Sequence, residues 1–223
     1  MDNPTKPTIK TEFIPLAMIL LTLFSSVYFY NNLPERVATH WNIAGQVDAY
    51  GSGQTQAVAF PLLIVGMYIL FLLIPFLDPK KERYKQFNKV YHIFKNILLA
   101  LMVVIYFIVS LNGLGYNLPV GVIIPGLIGL LFIVLGNYMG KIKMNWFMGI
   151  RTPWTLSSEE VWNKTHRFGG KMFILAGLLM MAETVLPINW RLPVFIIMMA
   201  ALLFGTIGYS YIVYLKEKKN MNK

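Results

Sequence analysis

Few side chains in this 223-residue chain can do chemistry: there are three histidines, ten Asp and Glu together, and no cysteine. Without thiols there is no disulfide, no thiolate nucleophile and no cysteine metal site. His40 has Glu35 and Asp48 as sequence neighbours, but neither stands at the i,i+3 or i,i+4 spacing that aligns metal ligands on a helix. His92 and His166 fall in other segments. A Ser-His-Asp order, a phosphate-binding glycine loop and a zincin helix are all missing. Neither enzyme activity nor a metal or other cofactor is expected. Glu183 is an acid inside an apolar stretch, about 6 Å before the Pro187 end of it. Such an acid is a functional candidate by default and suits a transporter or exporter of small molecules or peptides. The alternative is a carboxylate near the interface that reaches water or pairs with Arg191.

Recognition chemistry is better represented, in two polar segments. Residues 33–52 read LPERVATHWNIAGQVDAYGS, punctuated by Pro34, Gly45 and Gly51 and without a helical period, as in a compact loop or short hairpin. Glu35, His40, Trp41, Asp48 and Tyr50 could form a recognition surface there. Equally, Asp and Asn cap turns and Trp and Tyr belong to an interfacial aromatic belt. Residues 145–167 read NWFMGIRTPWTLSSEEVWNKTHR. Pro153 keeps Thr152 extended, and Ser157 with Glu160 fits a capping box. The helix that follows is expected to be amphipathic and interfacial, with Val161, Trp162, Thr165 and Phe168 toward one side and Trp146, Trp154 and Trp162 at headgroup depth, and Gly169-Gly170 allows a bend after it. One reading makes it an anchor; the other makes it a docking surface with Arg151, His166 and Arg167 as polar contacts.

The elements that carry these segments follow from composition. The chain is 56% hydrophobic and only 13% charged, against about 25% charged in soluble domains. That excludes an ordinary soluble enzyme, a disordered chain and a coiled coil. Six apolar blocks run over 13–30, 58–77, 91–111, 119–139, 171–187 and 192–215, each about long enough to cross a bilayer as a helix. The first lacks a cleavage site and is read as a retained span. Of 20 Lys and Arg, 17 lie in the N-terminal tail, the second and fourth loops and the C-terminal tail, on one side of a six-helix chain. Arg36 and Arg191 lie on the other. Lys95 sits just inside the third block and is expected to snorkel outward. The expected fold is therefore an all-α integral membrane protein with six transmembrane helices and both termini in the cytoplasm. An external loop, 31–57, follows helix 1, and the interfacial helix precedes helix 5. The net charge of +10 is then a record of topology, with no direct nucleic-acid partner expected. The organisation expected is a four-helix region, 1–139, followed by 140–223 with its cytoplasmic loop 140–170 and two helices.

The two segments together resemble a known family. GIRTPWTLSSEEVWNKTHRFGG at 149–170, preceded by GNYMGKIKMNWF at 136–147, is similar to the signature of the SdpI/YfhL-type bacterial immunity proteins. The segment 33–52 resembles the N-terminal domain that often accompanies it. The resemblance implies a multi-pass protein of the bacterial cell membrane that protects its producer from a secreted peptide toxin acting on the membrane. It also implies signalling, in which a toxin-occupied protein holds a small cytoplasmic transcriptional repressor at the bilayer. By position, Pro34, His40, Trp41, Asn42, Gly45, Asp48 and Tyr50 match the external motif. Asn145, Gly149, Arg151, Thr152, Pro153, Trp154, Thr155, Trp162, His166 and Arg167 match the cytoplasmic one.

Overall fold

The computed structural model describes residues 5–221. Lys223, one of the basic residues assigned to the cytoplasmic side, lies outside them. The order is α1 (Ile9–Asn32), β1 (Arg36–Trp41), β2 (Val47–Ser52), α2 (Gly53–Leu77), α3 (Tyr84–Gly113), α4 (Val120–Met139), α5 (Pro153–Ser157), α6 (Glu159–Glu183) and α7 (Ile188–Met221). A 3-10 turn, Lys81–Arg83, leads into α3. Five stretches are long and apolar enough to cross a membrane: α1, α2, α3 with its leading turn, α4 and α7. Large apolar side chains on them stand open, such as Phe24 at 75% and Phe204 at 70% exposure. In water such faces are a liability, whereas in lipid they are the proper surface. The chain is a multi-pass membrane protein. The segment expected as a compact loop or short hairpin is a hairpin, its two strands paired antiparallel, a small β element in an otherwise helical fold.

The described residues form two compact units, one of 5–6, 73–92 and 128–221 and the other of 7–72 and 93–127. In the second unit, α1 starts at a capping box in which Thr8 and Thr11 satisfy each other's backbone. Phe29, Leu33, Val37, Ala57 and Tyr106 form one core, and Ile19, Ile64, Leu99 and Val103 another. Lys95 does not snorkel. It is buried, and its Nζ donates to both carboxylate oxygens of Glu12 at 2.6 and 2.7 Å. The Tyr68 hydroxyl donates to the same carboxylate at 3.0 Å. An ammonium in an apolar surround needs a partner more than it needs a short path outward, and Glu12 supplies it.

In the first unit, the expected interfacial helix and fifth span are one continuous helix, α6. The helix runs unbroken through Gly169-Gly170. A Cβ on Gly170 would come within 2.6 Å of the Gly136 carbonyl oxygen, and one on Gly177 within 2.4 Å of that of Gly129. The absence of side chains lets α4 and α6 lie backbone to backbone, as small residues do between helices in lipid. Ala176 and Met180 of α6 then pack with Met198 and Leu202 of α7 in a core flanked by Phe132 and Phe173.

Candidate functional site

The hairpin is built by its own motif residues. The Asn42 side-chain oxygen accepts from the backbone N–H of Ala44 (2.9 Å) and Gln46 (3.1 Å), and the Gly45 N–H donates to the Asn42 carbonyl. Gly45 takes φ +76° there, which a side chain would strain, and its Cα lies where a Cβ on Gly121 of α4 would be. Pairing passes over Thr39 on β1 and Asp48 on β2. Such irregularities re-aim side chains, and here His40 Nδ1 donates to Asp48 Oδ1 at 2.5 Å, both side chains open to solvent. Tyr50 is exposed with the Arg36 guanidinium over its ring at 5.5 Å. Glu35 is exposed and accepts through its carbonyl from the Gly53 N–H, while Trp41 and Asn42 are half-buried. Of the candidates in this segment, Asn42 and Gly45 thus shape the turn, and Glu35, His40, Asp48 and Tyr50 are exposed.

The second polar segment, 140–170, is ordered by buried polar side chains. Asn145 is fully buried. It accepts from the N–H groups of Phe147 (2.9 Å) and Met148 (2.6 Å) and donates to the carbonyls of Lys143 and Met148. Asp78, which sequence reasoning passed over, is also buried and accepts from the Lys80 N–H, the Tyr84 hydroxyl and the Trp146 N–H. Its one local signal is an acid directly before Pro79 at the end of an apolar block. Trp162 is buried instead of lying at headgroup depth, and its indole N–H donates to the Ile142 carbonyl at 2.8 Å.

His166 stacks on Trp162 with ring centroids 4.0 Å apart. The Ile150 N–H donates to His166 Nε2 at 3.0 Å, so the ring proton sits on Nδ1, which donates to the Trp162 carbonyl at 2.8 Å. Burial pushes this imidazole down to about pKa 4, so it is neutral near pH 7. Gly149 has φ +108°, and a Cβ on it would lie 2.2 Å from His166 Nε2. Two glycine properties, conformation and smallness, are needed at one position.

Helix starts complete the segment. Thr152 caps α5 in a box with Thr155, with Pro153 in the first turn, and the Thr152 hydroxyl meets that of Ser210 on α7 at 3.1 Å. The cap of α6 is Ser158, one residue after the expected Ser157; its hydroxyl accepts from Glu160 and Val161 N–H and donates to Glu217 on α7 at 2.7 Å. Trp154 lies against Tyr211, ring centroids 4.9 Å apart. Arg83 pairs with Glu159 and holds its carboxyl below the usual carboxylate range. Among the docking candidates, Asn145, Thr152, Trp162 and His166 are therefore buried, Trp154 is half-buried, and Arg151 and Arg167 are exposed. Arg151 also donates to the Trp146 carbonyl at 2.5 Å. Glu183 is buried at the end of α6, and Arg191 gives its hydrogen bonds to the carbonyls of Thr184 and Leu186 beside it. No group of three or more metal-ligating side chains forms among the described residues.

Comparison with known proteins covers both segments. Residues 17–65, which contain the hairpin, match the Domain of unknown function (DUF1648). Immunity protein SdpI of Bacillus subtilis (strain 168) is 26% identical over 208 residues, 93% of this chain and 97% of that protein. No solved structure matches. Residues 141–212, from the ordered loop through α6 into α7, match the model of the SdpI/YfhL protein family.

Proposed function

We propose that this protein is a membrane immunity protein that protects its producer from a secreted peptide toxin acting at the membrane. The observation that carries this reading is the end-to-end similarity to an immunity protein, which takes in the hairpin, the ordered loop and the apolar helices between them. The uneven distribution of Lys and Arg supports an orientation with both termini and the 140–170 loop in the cytoplasm and the hairpin outside. In that orientation α6 is a sixth span and the exposed His40, Asp48 and Tyr50 face the incoming peptide. The test is expression in a bacterium sensitive to the toxin against which the Bacillus subtilis relative protects. Survival at toxin concentrations that kill the empty-vector strain is expected; equal killing refutes the reading.

The signalling role rests on the exposed bases of this segment, Arg151 and Arg167, which present positive charge to an acidic surface on a repressor. Capture of such a repressor from toxin-treated cells should drop for the Arg151→Ala, Arg167→Ala protein. Equal capture excludes this loop as the dock.

A further inference from the structure

Two buried polar side chains, on α2 and α3, lack hydrogen-bond partners among the described residues. Both polar atoms of the Gln56 carboxamide and the hydroxyl of Ser110 are closed off from solvent and form no hydrogen bond with any described residue. Gln56 is 6% exposed and Ser110 is 0% exposed. They lie close to one landmark, the hydrogen bond from the Tyr106 hydroxyl to the Ala57 carbonyl at 3.2 Å. Gln56 is the residue before Ala57 on α2, and Ser110 is one helical turn after Tyr106 on the same side of α3. The Ser26 hydroxyl already occupies the same Ala57 carbonyl at 2.7 Å, so that acceptor is taken.

The surroundings are apolar and neutral. Phe29, Leu33, Val37, Ala57 and Tyr106 make the local core, with Phe60, Phe107 and Leu114 against it. Val37 belongs to β1 and Leu33 to its approach, and both lie against Gly113, where an added Cβ would come within 2.9 Å of each. Leu33 and Pro34 also lie against Gly53, so the hairpin and its approach pack about one turn before Gln56 on α2 and one turn after Ser110 on α3. Buried donors and acceptors left without partners are costly, and a folded protein keeps them where they have a use.

We infer that Gln56 and Ser110 form a peptide-backbone binding site covered by the hairpin. This rests on the immunity reading and specifies where and how the toxin is held. A carboxamide offers donor and acceptor side by side, and its complement is another amide, the repeating group of a peptide chain. Apolar walls without a charge suit the side chains of a hydrophobic peptide and offer nothing to a phosphate or a metal ion. The exposed His40, Asp48 and Tyr50 make first contact, and the hairpin lifts to let a segment of the peptide bond to Gln56 and Ser110.

The experiment compares wild type with Gln56→Met, Ser110→Ala and the double variant, all full length, using the toxin that the Bacillus subtilis relative protects against. Two quantities are read: the toxin concentration that halts growth, and the melting temperature of the purified protein in detergent. The expected result is a tenfold or greater loss of protection in the double variant, with a melting temperature equal to or above that of wild type. Packing roles predict the opposite pattern, lowered melting with protection kept. Gln56→Asn, which keeps the amide on a shorter stem, should retain part of the protection and guards against misfolding as the explanation. Wild-type protection matched by the double variant overturns the site and leaves the immunity reading standing. A wild type that neither protects nor binds the toxin overturns both.

Discussion

Lys95 and Glu12 face each other inside the helix bundle of their unit, ammonium to both carboxylate oxygens at 2.6 and 2.7 Å, from positions 83 residues apart. The pair ties α3 to α1, and Tyr68 of α2 joins it at the carboxylate. Removing one partner leaves the other charge buried alone, which costs about 3–5 kcal/mol. Glu12→Gln and Lys95→Met should each lower the melting temperature of the detergent-solubilised protein markedly. The double variant should be far less destabilised than the sum of the two, because no charge is stranded. Additive losses would show that the pair is not coupled.

Gly149→Ala tests the other long-range contact. Its φ of +108° and the 2.2 Å approach of a Cβ to His166 Nε2 penalise any side chain there. Backbone strain alone costs about 1–3 kcal/mol, and displacement of the imidazole also removes the bond from the Ile150 N–H. The substitution should raise trypsin cleavage at Lys141, Lys143 and Arg151 in inverted membrane vesicles at least tenfold. Unchanged cleavage would show that the segment is not held through His166.

The same histidine sets a pH dependence. Its pKa falls from an ordinary 6.5 to about 4 in the folded protein because burial disfavours the charged ring. Between these values the unfolded chain binds the proton and the folded one does not, so stability falls as the pH drops. At about 1.4 kcal/mol per unit, the loss is about 3 kcal/mol between pH 6.5 and 4, with little change above pH 7. Denaturation of wild type and His166→Gln across this range checks it; the variant should lose most of the slope.

Asp78→Ala should loosen the loop after α4. Three donors, the Lys80 N–H, the Tyr84 hydroxyl and the Trp146 N–H, lose their acceptor together. An unmet buried donor costs about 1–3 kcal/mol. Asp78→Asn, which keeps one acceptor oxygen, should be milder. Trp146 fluorescence would report the change, with all other tryptophans replaced by Phe except the buried Trp162.

Topology can be read chemically, because the native chain has no cysteine. In intact cells an impermeant maleimide should label Ala44→Cys in the hairpin turn and leave Lys218→Cys unlabelled until the cells are opened. The reverse pattern would invert the orientation.

Much of this architecture was legible in the sequence for definite reasons. Apolar blocks of bilayer length admit little but helices, and Gly45 announced a turn that Asn42 closes with its own side chain. The buried partners were illegible because they depend on residues far away in the chain. Nothing local to Lys95 tells that Glu12 awaits it, so a path to the interface looked shorter. The period of residues 161–168 correctly marked one covered face of a helix, but it could not say whether lipid headgroups or protein would cover it. Protein does: Val161, Trp162, Thr165 and His166 are all buried. Ser158 in place of Ser157 as the cap is the ordinary one-residue uncertainty of helix ends.

The close approach of α4 and α6 has a consequence for descent with modification. Gly129 and Gly136 face Gly177 and Gly170, two pairs seven residues apart on antiparallel helices. Each pair forbids even a methyl group, so mutation on either helix cannot be rescued singly by a change on the other. Selection can drift freely across the outward faces of both helices, exchanging one apolar side chain for another, while these four sites stay at Gly. Lineages should therefore diverge around a fixed seam, and the seam should outlast recognisable similarity elsewhere in α4 and α6.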